Sequence, residues 1–128
     1  MKLQPDRIEG FNAVTAHAPG LLRINGVAYA ASILLPWRGD VQAWPCSAFE
    51  LLNVAHFEQL LQLAPELVIF GSGQRLRFVP PALMRPLIER RIGVETMDTA
   101  AACRTYNVLA SEGRAVVAAL LLEAGAPA

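Results

Sequence analysis

The sequence has few charged residues, few cysteines and histidines, and no long apolar run. Charged residues make up 17% and hydrophobic residues 54% of the 128 residues, whereas an ordinary soluble domain has about 25% charged residues. This composition indicates a sheet that is buried on both faces, or an apolar surface that a partner covers. Because 11 basic residues balance 11 acidic residues, no overall positive field attracts nucleic acid, and we expect no nucleic-acid partner.

The longest unbroken apolar run, Ala115 to Leu122, is far shorter than the ~20 residues that a membrane-spanning helix needs. It predicts a buried strand, and we expect no membrane span. Residues 1–7 fit neither a signal peptide nor an Arg-rich transit peptide, so we expect a cytoplasmic protein whose mature chain begins at Met1. The length predicts one domain, residues 1–128, with frayed ends at 1–5 and 124–128.

Cys46 and Cys103 are the only cysteines, and they form no CxxC motif. A reducing compartment is the simpler interpretation, although the spacing alone leaves a disulfide open. His17 and His56 are too few for a metal site without carboxylates, and neither lies near a cysteine in sequence. We therefore expect no catalytic residue, no metal and no cofactor.

The N-terminal third has the pattern of β-hairpins. Asn25-Gly26 lies between Leu21–Ile24 and Val27–Tyr29, and these two residue types tolerate the positive φ angles of a two-residue hairpin turn. Residues 36–40 then break the pattern with Pro and Gly. The sequence therefore predicts short strands up to Leu35.

From Asn53 onward, helical and strand patterns alternate. Capping residues and apolar spacing predict three helices. The first runs from Asn53 to before Pro65, and the third is capped by Asp98 or Thr99 and ends near Glu112. The second is opened by Pro80-Pro81, has an apolar face of Leu83, Leu87 and Ile88, and has a kink at Pro86. Three apolar runs predict strands: Glu66–Phe70, Gly93–Met97 and Ala115–Leu122. The alternation indicates an α/β fold with a mixed, partly parallel sheet and helical crossovers, onto which the N-terminal strands add.

Four segments of the C-terminal half, taken together, resemble one family: Gly71-Ser72-Gly73 after a strand, Phe78-Val79-Pro80-Pro81, Gly93–Thr99 and Arg104–Arg114. They are similar to the Mth-like domain family of unknown function, which includes the mitochondrial NADH dehydrogenase (complex I) assembly factor 3 and an adipogenesis-associated protein. The resemblance implies a three-layer α/β sandwich with a mixed central sheet, and a role as an assembly or interaction factor. Ser72 stands where the family more often has Thr, which keeps the hydroxyl. The missing transit peptide favours a bacterial protein, and it argues against a direct transfer of the complex I role from the mitochondrial relatives.

The Gly71-Ser72-Gly73 loop is the first candidate binding site. It follows a strand at the carboxyl edge of the predicted sheet, where open α/β folds bind ligands, and free backbone N–H groups there would suit a small anion. The loop lacks the GxGxxG and Walker patterns, and a tight turn requires glycine in any case. A structural turn is therefore the alternative.

The polar residues of the third predicted helix form the second candidate. They supply donors, acceptors and both charges; the alternative is that they tie the helix to neighbouring loops, with Tyr106 in the core. Together, the two segments predict nine binding residues: Gly71, Ser72, Gly73, Arg104, Thr105, Tyr106, Asn107, Glu112 and Arg114. Between them, Arg75 and Arg77 alternate with Leu76 and Phe78, so an extended chain would place the two arginines on one face. One interpretation is a local basic patch that also includes Arg85, Arg90 and Arg91, and the alternative is a solvated face.

The leading functional hypothesis is a non-enzymatic binding or assembly module with a protein partner, and by the resemblance one that assists assembly of a respiratory or membrane complex. The alternative is a small-molecule or anion-binding protein, including an enzyme, with a crevice near the Gly-Ser-Gly loop. A third hypothesis is a homo-oligomeric domain that covers its own apolar surface.

Overall fold

The structure is a computed structural model that describes residues 10–123. The frayed ends predicted for residues 1–5 and 124–128, and the interpretation of residues 1–7, lie outside the described residues. Within the described range the chain forms, in order, β1 (Val14–Ala18), β2 (Leu21–Ile24), β3 (Val27–Tyr29), β4 (Ile33–Pro36), β5 (Gln42–Ala43), α1 (Val54–Leu61), β6 (Leu67–Gly71), α2 (Arg85–Glu89), β7 (Gly93–Met97), α3 (Thr99–Ser111) and β8 (Val116–Leu120). Short 3-10 helices span Phe49–Leu51 and Pro81–Met84.

The central sheet is mixed, as predicted. Its strand order is β5-β4-β8-β6-β7. Strand β6 pairs in parallel with β7 and β8, whereas β4 is antiparallel to β5 and β8. Of the N-terminal strands only β4 and β5 join this sheet, because β1, β2 and β3 form a separate antiparallel sheet.

The predicted hairpin turn connects β2 and β3. Asn25 has φ 51° and Gly26 has φ 83°, the positive angles that a two-residue turn requires. The Asn25 side chain also accepts a hydrogen bond from Ala13 N at 3.0 Å, and Asn25 N donates to Ala13 O at 2.9 Å. The turn therefore also fixes the chain that enters β1.

Two helices begin at the predicted caps. Asn53 Oδ1 accepts from Ala55 N at 2.9 Å, and His56 Nδ1 accepts from Asn53 N at 3.0 Å. Asp98 Oδ1 accepts from Ala101 N at 2.8 Å. These bonds satisfy N–H groups that a helix start leaves without partners.

The second helix differs from its prediction. The chain forms a 3-10 turn at Pro81–Met84 and then α2, which has Pro86 in its first turn. Proline is compatible with that position because its missing N–H has no helical acceptor there, so Pro86 starts a helix and does not kink one. Leu87 is buried as predicted, but Ile88 is exposed.

Two apolar cores lie on the two faces of the central sheet. One core lies between the sheet, α3 and the β1–β3 sheet, and it contains Ile69, Ala118 and Tyr106. The other lies between the sheet, α1 and α2, and it contains Phe70 and Trp44. These layers confirm the three-layer α/β sandwich. None of the helices within residues 10–123 is long and apolar enough to cross a bilayer.

Candidate functional site

The Gly-Ser-Gly loop leaves β6 at the carboxyl edge of the central sheet and contacts the start of α3. A Cβ atom at Gly71 would lie 3.0 Å from both Cα and Oγ1 of Thr99. Gly73 has φ 102°, and a Cβ there would lie 2.7 Å from Glu123 Oε1. Both glycines therefore permit a close approach that a side chain would prevent.

The polar groups of this loop bond within the chain. Ser72 N donates to Met97 O at 2.8 Å, and Gly73 N donates to Thr99 Oγ1 at 2.9 Å. The buried Ser72 hydroxyl donates to Arg75 O at 2.8 Å and accepts from Arg77 N at 3.0 Å. These bonds fit the structural turn, and they leave neither N–H group free for an anion. Anion binding at the loop stays a prediction that its hydrogen bonds do not support.

Tyr106 and Asn107 tie α3 to the N-terminal sheet. The Tyr106 side chain is buried, and its hydroxyl donates to Asn12 O at 2.6 Å; burial raises the pKa of this phenol above its ordinary value. Asn107 Nδ2 donates to Val14 O at 2.8 Å, and Asn107 Oδ1 accepts from Val14 N at 2.9 Å. Both side chains therefore have structural partners.

The remaining predicted residues are spread along α3. Arg104 and Glu112 are exposed and Thr105 is half-buried, while Arg114 Nε donates to Glu66 Oε1 at 3.1 Å. The 13 residues of α3 extend about 20 Å at 1.5 Å per residue. Because the Gly-Ser-Gly loop contacts the start of α3 and Glu112 follows its end, the nine residues do not surround one crevice. Binding by them as a set stays a prediction.

Arg77 organises the loop, a role that its position in the sequence does not indicate. Its Nη2 donates to Ser72 O at 2.9 Å and to the Glu123 carboxylate, and its Nη1 lies 3.4 Å from Glu50 Oε2. The guanidinium also lies 4.6 Å from the centre of the Phe49 ring, a distance at which a cation is attracted to an aromatic face. This half-buried arginine therefore joins the loop, a 3-10 helix and the end of the described chain.

Exposed and buried side chains alternate only from Leu76 onward, because Arg75 and Leu76 are both exposed. The prediction of a solvated side chain is wrong for Arg77. Arg77 is half-buried and Val79 is buried, whereas Leu76 and Phe78 are exposed. A two-residue period fixes which side chains share a face but not which face meets the core. The Glu123 carboxylate decides the direction, because it gives the guanidinium a partner inside.

A cleft of 450 Å³ opens beside the loop, between the β1–β2 turn, the start of α3 and the segment after β8. Gly73 is the one predicted site residue that lines it, and its charged and polar lining includes His17, Gln74, Asp98 and Glu123. Asp98 caps α3 and Glu123 binds Arg77. Both carboxylates of the lining therefore already have partners within the fold.

Neither cysteine has the environment of a nucleophile. Both are free and buried. Burial raises the pKa of Cys103 to about 12, although the Arg104 charge opposes the shift, and burial also raises the pKa of Cys46. Both thiols therefore stay protonated near neutral pH, where the thiolate is the reactive form. Among residues 10–123 no three His, Cys, Asp or Glu side chains group as metal ligands.

Solved structures match nearly the whole chain. A crystal structure of a Bordetella parapertussis protein superposes with a TM-score of 0.83 at 39% identity, covering 88% of this chain and 97% of that one. The solution structure of a Bordetella pertussis protein, described as a Mth938-like domain, has a TM-score of 0.81 at 33% identity and covers 96% and 93%. The resemblance inferred from the sequence is confirmed.

Comparison with protein families and curated proteins gives the same relationship. The model of the family described as "Protein of unknown function (DUF498/DUF598)" matches residues 14–121. The Bos taurus protein named NADH dehydrogenase [ubiquinone] 1 alpha subcomplex assembly factor 3 is 34% identical over 91 residues, which are 70% of this chain and 50% of that protein. The chain thus spans about half the length of this curated relative.

Proposed function

The chain belongs to the family of proteins of unknown function DUF498/DUF598, and from this membership we propose that it is a protein-binding module that assists assembly of a respiratory membrane complex. The observation that carries the proposal is the 34% identity to a complex I assembly factor over 70% of the chain. An identity of 34% over this length supports a common fold, whereas the other half of the relative has no counterpart in the match.

The use of polar groups inside the fold supports binding over catalysis. Ser72, Tyr106 and Asn107 each bond to the main chain, and the buried thiols are held protonated. Groups with such partners position segments of a fold and are poorly placed to attack a substrate. The two free thiols also support a cytoplasmic location, which is part of the proposal.

The test is deletion of the gene in the cell that encodes it. Native gels and NADH:quinone oxidoreductase activity of isolated membranes measure the complex, and a plasmid copy of the gene serves as the rescue. We expect less mature complex and accumulation of its subassemblies, with succinate dehydrogenase unchanged as the matched control. Normal levels of mature complex in the deletion strain would contradict the proposal.

The 450 Å³ cleft favours a second function, binding of a small molecule, because ligand clefts have volumes of about 300–1,000 Å³. A ligand screen by thermal shift tests this function, with Ala100→Phe as the variant that fills the cleft. A ligand whose stabilisation is equal in both proteins does not bind there.

A further inference from the structure

Residues 76–80 present an apolar stripe to solvent, which we define as Leu76, Phe78 and Pro80. Leu76 exposes 52% and Phe78 70% of its surface, and Pro80 is also exposed. The alternate residues, Arg77 and Val79, face inward. Since Arg77 is bonded to Ser72 O and Glu123, the outward orientation of the stripe is fixed by buried contacts.

The main chain of this segment has unused hydrogen-bonding groups. Within residues 10–123, the main chain of residues 76–80 takes part in two hydrogen bonds: Arg77 N donates to Ser72 Oγ, and Pro80 O accepts from Leu83 N. The N–H and C=O groups of Leu76 and Phe78 have no partner there. An extended segment with unpaired backbone groups can pair with a strand of another chain.

The arginines that precede and follow the stripe in the sequence favour an acidic occupant. Arg75 precedes the stripe and Arg85 follows it; both are exposed, and the salt bridges within residues 10–123 include neither. Apolar side chains flanked by unpaired arginines are typical of protein interfaces.

Glu50 distinguishes a protein partner from a membrane. Its side chain is 71% exposed, and its carboxylate lies 3.4 Å from Nη1 of Arg77, the residue between Leu76 and Phe78 in the sequence. An anionic bilayer would repel this carboxylate and remove its water, whereas a peptide strand can leave it at the solvated rim. Unpaired backbone groups likewise suit a peptide and not a lipid surface.

We propose that the stripe docks an extended, acidic segment of a partner protein that packs a large apolar side chain against Phe78. This inference rests on the proposed function, since it names the surface and the partner chemistry of a protein-binding module. The partner strand lies along residues 76–80, its acidic residues pair with Arg75 and Arg85, and its apolar residues cover Leu76 and Phe78.

The first test uses three fluorescent peptides of equal length: one that alternates Glu and Leu, one with Lys for Glu, and one with Ser for Leu. Fluorescence anisotropy gives affinities, and amide shifts of the labelled protein locate binding. We expect the Glu-Leu peptide to bind, with shifts at residues 74–81, and the other two to bind at least about tenfold more weakly.

Two variants make the test specific. Phe78→Ser is expected to weaken Glu-Leu peptide binding by at least about tenfold, as loss of an aromatic anchor does, and Arg75→Glu should weaken it and reduce its salt dependence. The control is Val108→Ser, which changes a side chain that is 57% exposed on α3 and should leave affinity unchanged. Circular dichroism and melting temperature verify that each variant folds.

Several results overturn the proposal. They are equal binding of the Lys-Leu peptide, shifts confined to residues outside 74–81, and binding to phosphatidylserine vesicles that needs Phe78 while peptides do not bind. Complementation separates this inference from the function on which it rests. If deletion of the gene lowers the level of mature complex and a plasmid copy with Phe78→Ser restores that level fully, the docking surface is wrong and the assembly role stands. If deletion leaves the level of mature complex unchanged but peptide binding depends on Phe78, the assembly role is wrong and the docking surface stands.

Discussion

The side-chain amide of Asn107 makes both hydrogen bonds that a neighbouring strand would make with Val14. Its Nδ2 donates to Val14 O at 2.8 Å, and its Oδ1 accepts from Val14 N at 2.9 Å. Residue Val14 begins β1, an edge strand of the N-terminal sheet. A helix residue therefore completes the pairing of a strand edge.

The replacement Asn107→Ala should lower the free energy of unfolding by about 2 kcal/mol, because it leaves two partly buried main-chain groups without partners. Urea unfolding monitored by circular dichroism measures the change. The adjacent exposed position provides the control, since Val108→Ala should alter stability by no more than about 0.5 kcal/mol. A loss for Asn107→Ala as small as that of the control would mean that water replaces the amide.

Gly73 and Gly113 provide a matched pair of substitutions. Both have positive φ, 102° and 83°, but a Cβ at Gly113 has no atom within 4 Å, whereas one at Gly73 lies 2.7 Å from Glu123 Oε1 and 2.8 Å from Arg77 Nη2. Gly113→Ala should destabilise by about 1 kcal/mol from backbone strain alone. Gly73→Ala adds a steric conflict and should destabilise by about 3 kcal/mol. Thermal unfolding of both variants checks the difference, and equal losses would show that the Arg77–Glu123 pair moves aside freely.

Arg77 and Arg75 should respond differently to the same replacement. Arg77→Leu removes the partner of a carboxylate that is mostly buried and should destabilise by about 2 kcal/mol. Arg75→Leu changes an exposed side chain and should have an effect within about 0.5 kcal/mol. Urea midpoints of the two variants test this, and a similar midpoint for both would exclude Arg77 as the residue that fixes the loop.

Alkaline pH should destabilise the protein through its buried acidic protons. The Cys103 thiol has a pKa of about 12 in the fold against 9.0 for an ordinary thiol, so the unfolded chain releases this proton first. The stabilisation is present below about pH 9 and falls by about 1.4 kcal/mol per pH unit above it, until the pH passes the folded pKa. Unfolding in urea between about pH 8 and about pH 11 measures the slope. Cys103→Ala should flatten it, and an unchanged slope in that variant would assign the decline to Tyr106 or other groups.

Local patterns of the sequence were sufficient for much of the fold. Asn53 and Asp98 cap helices through bonds to N–H groups two and three residues away, and the Asn25-Gly26 turn has the positive φ angles that these two residue types tolerate. Such features are determined by neighbouring residues, so they can be predicted from the sequence. The exposed Ile88 was missed because helix periodicity is unreliable where a 3-10 turn precedes five α-helical residues.

The candidate site was harder to predict because its outcome depends on distant partners. Tyr106 and Asn107 bond to Asn12 and Val14, which lie 94 and 93 residues away in the chain. Arg77 faces inward because of Glu123, 46 residues later. A sequence pattern indicates that a residue is polar, but only the folded chain decides whether its partner is a main-chain group or a ligand.

The strand order β5-β4-β8-β6-β7 also governs when the sheet can form. Strand β8, at residues 116–120, lies between β4 and β6, although it is synthesised after both. Until it emerges, β4 and β6 have no common neighbour, and each exposes an apolar edge that can pair with another chain. Folding of this sheet therefore waits until β8 has been synthesised, and a nascent chain that stalls before residue 116 should be prone to aggregation.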